Sequence, residues 1–117
     1  MLTRFQLSQN PSLCRAKATG ALAGLAVGDA LGDLGRNQEH RLRYGIATEL
    51  TEAGKSTDDT EFAILTARTL LDCGGNLTSE AVVQSWRRYI LDMGGVFERG
   101  GKPQYGAVAN LRRGLLP

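Results

Sequence analysis

From Leu13 to Leu34 the chain is an almost unbroken run of Ala, Leu and Gly, in which Gly20, Gly24, Gly28 and Gly32 recur every fourth residue behind Ala16. Spacing of four places these glycines on one face of a helix, so a helix is predicted from about Leu13 to Leu34, with Ser12 placed to cap it. Residues 1–11 end at Pro11 and read as a loose, flexible leader. Residues 35–56 contain Gly35, Gly45 and Gly54 and no helical period, which predicts a long loop. Within it Leu42, Tyr44 and Ile46 alternate weakly, enough for a short extended piece. A second helix is predicted from about Asp58 to Cys73, stopped by Gly74-Gly75. A third runs from about Ser79 to Met93, capped by Asn76 or Thr78 and stopped by Gly94-Gly95. After Gly100, Gly101, Lys102-Pro103 and Gly106, the stretch Ala107 to Arg113 has room for one helical turn or two. No strand run and no internal repeat emerges, so the predicted fold class is all-α.

The faces of these helices carry a further implication. An interior glycine costs about 1 kcal/mol relative to alanine, so four in one helix cost on the order of 4 kcal/mol. Close approach of another helix backbone is the plain offset, because no Cβ stands in the way. Leu22, Leu25 and Leu31 lie off the glycine ridge, so this helix reads as buried nearly all round. In the second helix Phe62, Ala63, Ile64, Leu65, Ala67, Leu70 and Leu71 cover most of the circumference, leaving only Glu61, Arg68 and Asp72 as a polar stripe. The third helix is ordinary, with Val82, Trp86, Tyr89 and Met93 on one stripe and Gln84, Arg87 and Arg88 opposite. Three helices in a chain this short are hard pressed to cover two such elements, so the chain reads as part of a larger helical fold.

Composition narrows the function classes. The 117 residues are 42% hydrophobic and 22% charged with a net charge of +2, a globular balance too even for a nucleic-acid arm or a polybasic membrane anchor. Aromatics at 6% leave little for base stacking. Pairs such as Arg87-Arg88 and Arg112-Arg113 read as solvated faces. The uncharged run Ala18 to Gly28 is too short and too weakly hydrophobic for a membrane span, and it continues past Asp29 as helix instead of ending as a signal peptide. A cytoplasmic protein is therefore expected, with Cys14 and Cys73 as reduced packing residues. A single histidine, His40, rules out a His/Cys zinc cluster. The charge is uneven: residues 44–80 hold two basic and seven acidic groups, and both flanking thirds are net positive. A cation belongs in that acidic middle third.

Within it, Ser56-Thr57-Asp58-Asp59-Thr60 opens the second helix. Unpaired N–H groups at a helix start favour carboxylates, and Thr57, Asp58 and Asp59 offer hard oxygen atoms suited to Mg²⁺, Mn²⁺ or Ca²⁺. Successive side chains diverge by about 100° around a helix, so two neighbouring carboxylates can face two ions. The purely structural alternative is a helix cap, with Ser56 or Thr57 as N-cap or Asp58 and Glu61 as a capping box. Gly28-Asp29-Ala30-Leu31-Gly32 likewise has a structural alternative, a packing ridge with Asp29 exposed or capped.

Taken together, the segment Gly20 to Gly32, followed 24 residues after Gly32 by Ser56-Thr57-Asp58-Asp59-Thr60, resembles the N-terminal portion of the ADP-ribosylglycohydrolase family. The resemblance covers roughly residues 15–117, and the tail from Ala107 to Pro117 looks like members of this family too. It implies an orthogonal all-α helical bundle around a two-magnesium site, with manganese as an alternative ion. Thr57, Asp58 and Asp59 match the family's first metal-binding motif. The resemblance implies that Asp29 orients groups behind the site. Many relatives carry a site-lining Glu a few residues after the GDALG-like segment, where this chain has Asp33 as a substitute and Arg36, which is none. The implied substrates are ADP-ribosylated proteins or small-molecule ADP-ribose derivatives, cleaved at an N- or O-glycosidic bond. In that chemistry metals hold the ribose hydroxyls and a water near the anomeric carbon, and carboxylates stabilise an oxocarbenium-like centre that water captures.

Family catalytic domains are much longer, with a second Asp-rich metal motif near the far C-terminus. Residues 1–117 are thus expected to form a single partial domain truncated to the N-terminal helices. Such a piece binds metal weakly and hydrolyses little alone, and calls for a complementing C-terminal segment or self-association. The rival reading is a non-catalytic helical interaction module, with the glycine ridge and the apolar second helix as its docking surface. Neither reading involves nucleic acid or a membrane.

Overall fold

A computed structural model describes residues 3–46, 54–96 and 100–115. Residues 47–53 of the expected loop, 1–2 of the expected leader, and 97–99 and 116–117 towards the tail lie outside the described residues. The described chain is all-α: α1 (Arg4–Ser8), α2 (Pro11–Arg36), α3 (Gln38–Tyr44), α4 (Asp58–Asp72), α5 (Ser79–Trp86), a π-helical turn (Arg87–Leu91) and α6 (Lys102–Arg112). Two compact units divide it, residues 1–60 and 61–117, and α4 starts in the first and continues in the second. No helix among the described residues is long and apolar enough to cross a membrane.

In the first unit the expected boundaries shift for identifiable reasons. Helix α2 begins at Pro11, where the missing N–H costs nothing, and its cap is Asn10 rather than Ser12: the Asn10 side chain accepts from the Leu13 amide at 3.0 Å. The expected leader contains a short helix, α1, in which the Thr3 hydroxyl accepts from the Gln6 amide at 3.2 Å. The expected loop contains another. Asn37 closes α2 and caps α3, accepting from the His40 amide at 3.1 Å, and Gly45 ends α3 with φ of 77°. The weak alternation of Leu42, Tyr44 and Ile46 is therefore no strand; Leu42 and Tyr44 lie on α3, and all three are exposed.

Helix α2 is not buried all round within this unit. Ala30 is its one buried residue, and Leu22, Leu25 and Val27 are exposed. The four ridge glycines face open space, with nothing within 4 Å of where a Cβ would stand. The close helix approach expected along the ridge is thus not made by the first unit. Cys14 is exposed on the same helix rather than packed. Because α2 accommodates a Cβ at these positions, Gly24→Ala is expected to stabilise the chain by about 0.5–1 kcal/mol. Urea unfolding checks this; a loss of stability would show that something presses on the ridge.

The second unit has its own small core of Leu65 on α4, Ile90 on the π turn and Val108 on α6, with Phe62, Trp86 and Tyr89 packed against it. The Phe62 and Trp86 rings stack at 5.3 Å. Thr69 and Ser85, both buried, share a 2.6 Å hydrogen bond, so two polar groups satisfy one another beside that core. Helix α4 is less enclosed than its composition suggested: Ile64, Leu70 and Leu71 are exposed. Its end is as expected. Gly74 and Gly75 both have positive φ, and their amides bond back to Leu71 and Leu70 carbonyls at 3.2 and 2.8 Å, a Schellman closure. Thr78 is the cap of α5, accepting from the Ala81 amide at 3.1 Å. The expected third helix becomes α5 plus the π turn, and the wider turn places Ile90 in the core while Met93 is exposed. The tail helix α6 is longer than one or two turns because Pro103 sits at its first turn, where proline is tolerated.

Candidate functional site

The two segments singled out in the sequence meet inside the first unit. Asp29 lies two-thirds of the way along α2, half-buried, and its carboxylate faces the first turn of α4. Oδ1 accepts from the Thr57 hydroxyl at 2.6 Å. Oδ2 accepts from the Thr57 amide at 2.6 Å, the Thr60 hydroxyl at 2.6 Å and the Thr60 amide at 3.3 Å. Thr57 and Thr60 are both buried.

This is a capping box closed from another helix. In the usual box, the N-cap side chain bonds the amide three residues on, and a Glu or Gln there bonds back to the N-cap amide. Here Thr57 stands at the N-cap and Thr60 at the third position, and the carboxylate of Asp29 serves both amides. A negative charge at the positive end of α4 adds a favourable dipole interaction.

The electrostatics follow from the same contacts. Burial pushes the Asp29 carboxyl up, but the hydrogen bonds from the Thr57 and Thr60 hydroxyls and amides outweigh it and hold its pKa at about 2, below the ordinary 3.8. Asp29 is therefore a permanent anion at neutral pH and a poor proton donor.

Thr57 gives its hydroxyl proton to Asp29, and its oxygen accepts one long bond, 3.3 Å, from the Asp59 amide. A hydroxyl oxygen has two lone pairs, and the Asp59 amide takes one of them. Asp58, half-buried, and Asp59, exposed, follow directly on the first turn of the helix. One alcohol and two carboxylates are hard oxygen donors of the kind Mg²⁺ and Mn²⁺ take. The set fits such ions in kind and is short in number: among the described residues, no group of three or more His, Cys, Asp or Glu side chains could hold a metal ion.

Asp33 has a different partner. One turn beyond Asp29 on the same face of α2 and half-buried, it pairs with the exposed Arg36 at 3.3 Å. The residue that sequence reasoning passed over is Thr60. Its signal was present: three residues from Thr57, it shares that residue's helix face, and the two threonines bracket the aspartate pair.

The family model described as ADP-ribosylglycohydrolase matches residues 10–117. No curated protein matches the chain. No solved structure matches it.

Proposed function

We propose that this chain, which belongs to the ADP-ribosylglycohydrolase family, contributes one side of a divalent-cation site that handles ADP-ribosyl linkages. The observation that carries the reading is the anchored start of α4. Asp29 fixes Thr57 by two 2.6 Å bonds at the helix start that also carries the hard oxygen donors Asp58 and Asp59. Thr57, Asp58 and Asp59 would hold Mg²⁺, two ions in the complete family site, with Mn²⁺ as a substitute. When bound, such ions supply a template for ribose hydroxyls and positive charge that orients a water.

The chain's own residues do the rest. Asp29 orients Thr57 from behind. Asp58 and Asp59 supply the negative charge that would hold the ions, so stabilisation of positive charge at the anomeric carbon falls to a further carboxylate. Asp33 would join that work only on leaving Arg36, and an exposed pair of this kind is worth only about 0–1 kcal/mol. Two carboxylates and a hydroxyl fill few of the positions that two six-coordinate ions require, so these 117 residues by themselves are expected to bind metal weakly and turn over slowly. The substrate class is an ADP-ribosylated protein or a small ADP-ribose derivative. Two free cysteines, Cys14 and Cys73, suit a cytoplasmic setting.

The test is thermal unfolding with ADP-ribose. A rise in midpoint with ADP-ribose and Mg²⁺ together, lost on chelation, is expected. No rise, or the same rise in chelator, contradicts the reading, and rapid release of ADP-ribose from a modified substrate contradicts the short ligand count.

One observation favours a second reading, a non-catalytic interaction module. Leu22, Leu25 and Val27 are exposed beside a glycine ridge that meets nothing in its own unit. Under that reading self-association, read by sedimentation, is indifferent to Thr57 and Asp58.

A further inference from the structure

Thr60 makes two of the four hydrogen bonds that hold Asp29, yet nothing in the row Thr57-Asp58-Asp59 requires it as a ligand. Its contacts fall on one oxygen only. Oδ2 receives the Thr60 hydroxyl, the Thr60 amide and the Thr57 amide, whereas Oδ1 receives the Thr57 hydroxyl alone. Three donors on Oδ2 fix the direction of the carboxylate plane. That direction decides where Oδ1 sits, and the short bond from the Thr57 hydroxyl to Oδ1 decides which way the Thr57 proton points. A threonine hydroxyl otherwise rotates to suit its neighbours. If the proton turned outward, Thr57 would present a donor instead of a lone pair to any cation at the helix start.

We propose that Thr60 is a positioning residue, acting through Asp29 to hold the Thr57 hydroxyl with its proton inward and a lone pair outward for a divalent cation. The metal half of this inference rests on the function proposed above; the geometric half does not. Thr60 is buried, so its hydroxyl has a fixed partner and no solvent to replace it. A neighbour that orients a ligand commonly changes metal affinity by 10–100-fold when removed.

Two measurements on the whole chain, one without metal, separate the parts. Thr60→Val keeps the shape and removes the donor; Thr60→Ser keeps the donor. Without metal, the Thr57 amide is expected to exchange with solvent at least about tenfold faster in Thr60→Val than in wild type, and at the wild-type rate in Thr60→Ser. With Mg²⁺ titrated against thermal unfolding, Thr60→Val is expected to need roughly tenfold more metal for the same rise in midpoint, with Thr60→Ser restoring it. A purely structural role would lower the midpoint of Thr60→Val at every Mg²⁺ concentration and leave the metal dependence unmoved, which overturns the proposal. Unchanged exchange at Thr57 overturns it as well. If Thr57 exchange responds but wild type shows no rise with Mg²⁺ at all, the metal function fails and the proposed role towards a cation fails with it, while the Asp29 linkage stands.

Discussion

Asp29→Asn is expected to destabilise the first unit by about 2–3 kcal/mol at neutral pH, and that penalty should shrink in acid. The carboxylate takes four donors, three of them at 2.6 Å, and carries its charge at the start of α4. Hydrogen bonds to a charged group are worth about 1.5–3 kcal/mol each when one partner is removed. Asparagine keeps the outline and one acceptor oxygen, so some bonds survive, but its amide nitrogen must face a donor or force a hydroxyl to turn. The charge at the helix start is also lost. The pH dependence has a definite sign. The folded-state carboxyl sits at about 2, below the ordinary 3.8, so the unfolded chain binds more protons between those values. Its contribution is fully present above the ordinary value and is lost as pH falls through about 2. Wild type should therefore lose stability across that window, and Asp29→Asn should not lose this component. Urea unfolding of both proteins from neutral pH down to about pH 2 checks it. Parallel curves would mean that the carboxylate does not hold the helix.

Much of this arrangement was legible in residue order, and the misses have physical reasons. The all-α class followed from glycine stops and helical periods, and both double-glycine closures at Gly74-Gly75 and Gly94-Gly95 lie where the pattern placed them. Helix α3 was missed because its seven residues show no apolar stripe; it is defined by the Asn37 cap and the Gly45 stop instead. The π turn at Arg87–Leu91 was missed because a one-residue slip in a helical stripe becomes visible only once Ile90, and not Met93, occupies the core. Helices α2 and α4 keep exposed apolar faces among the described residues, since composition reports which faces are apolar and not what covers them. At the site, carboxylates at a helix start suggested both a cap and a cation. The contacts show a shared cap: Asp29 accepts from the Thr57 and Thr60 amides, and the Thr57 hydroxyl oxygen accepts from the Asp59 amide. The partnership of Asp29 with Thr57 and Thr60 spans 28 and 31 residues, a separation that no local spacing rule addresses.

The second large effect is expected at the donor row itself. Thr57→Ala combined with Asp58→Ala removes two of three oxygen donors and leaves Asp59, exposed, as a lone carboxylate. A single exposed carboxylate holds a hydrated divalent ion only in the millimolar range or weaker, so binding should fall by at least about tenfold to a hundredfold. The double change also removes the Thr57 hydroxyl bond to Asp29, but the two Thr60 bonds and the Thr57 backbone amide bond remain, so α4 keeps its start. Loss of metal without loss of helix is the signature sought, and far-ultraviolet circular dichroism run alongside reads the second part. Self-association is expected to be the same in both proteins under either reading, so the loss of metal binding is what marks the cation site.

Manganese titration followed by electron paramagnetic resonance, on wild type and on the double variant, measures this most directly. Wild type should quench the free-ion signal saturably, and the double variant should leave it nearly intact while remaining helical. Equal quenching by the two proteins, or none by wild type, would contradict the claim that Thr57, Asp58 and Asp59 together grip a divalent ion.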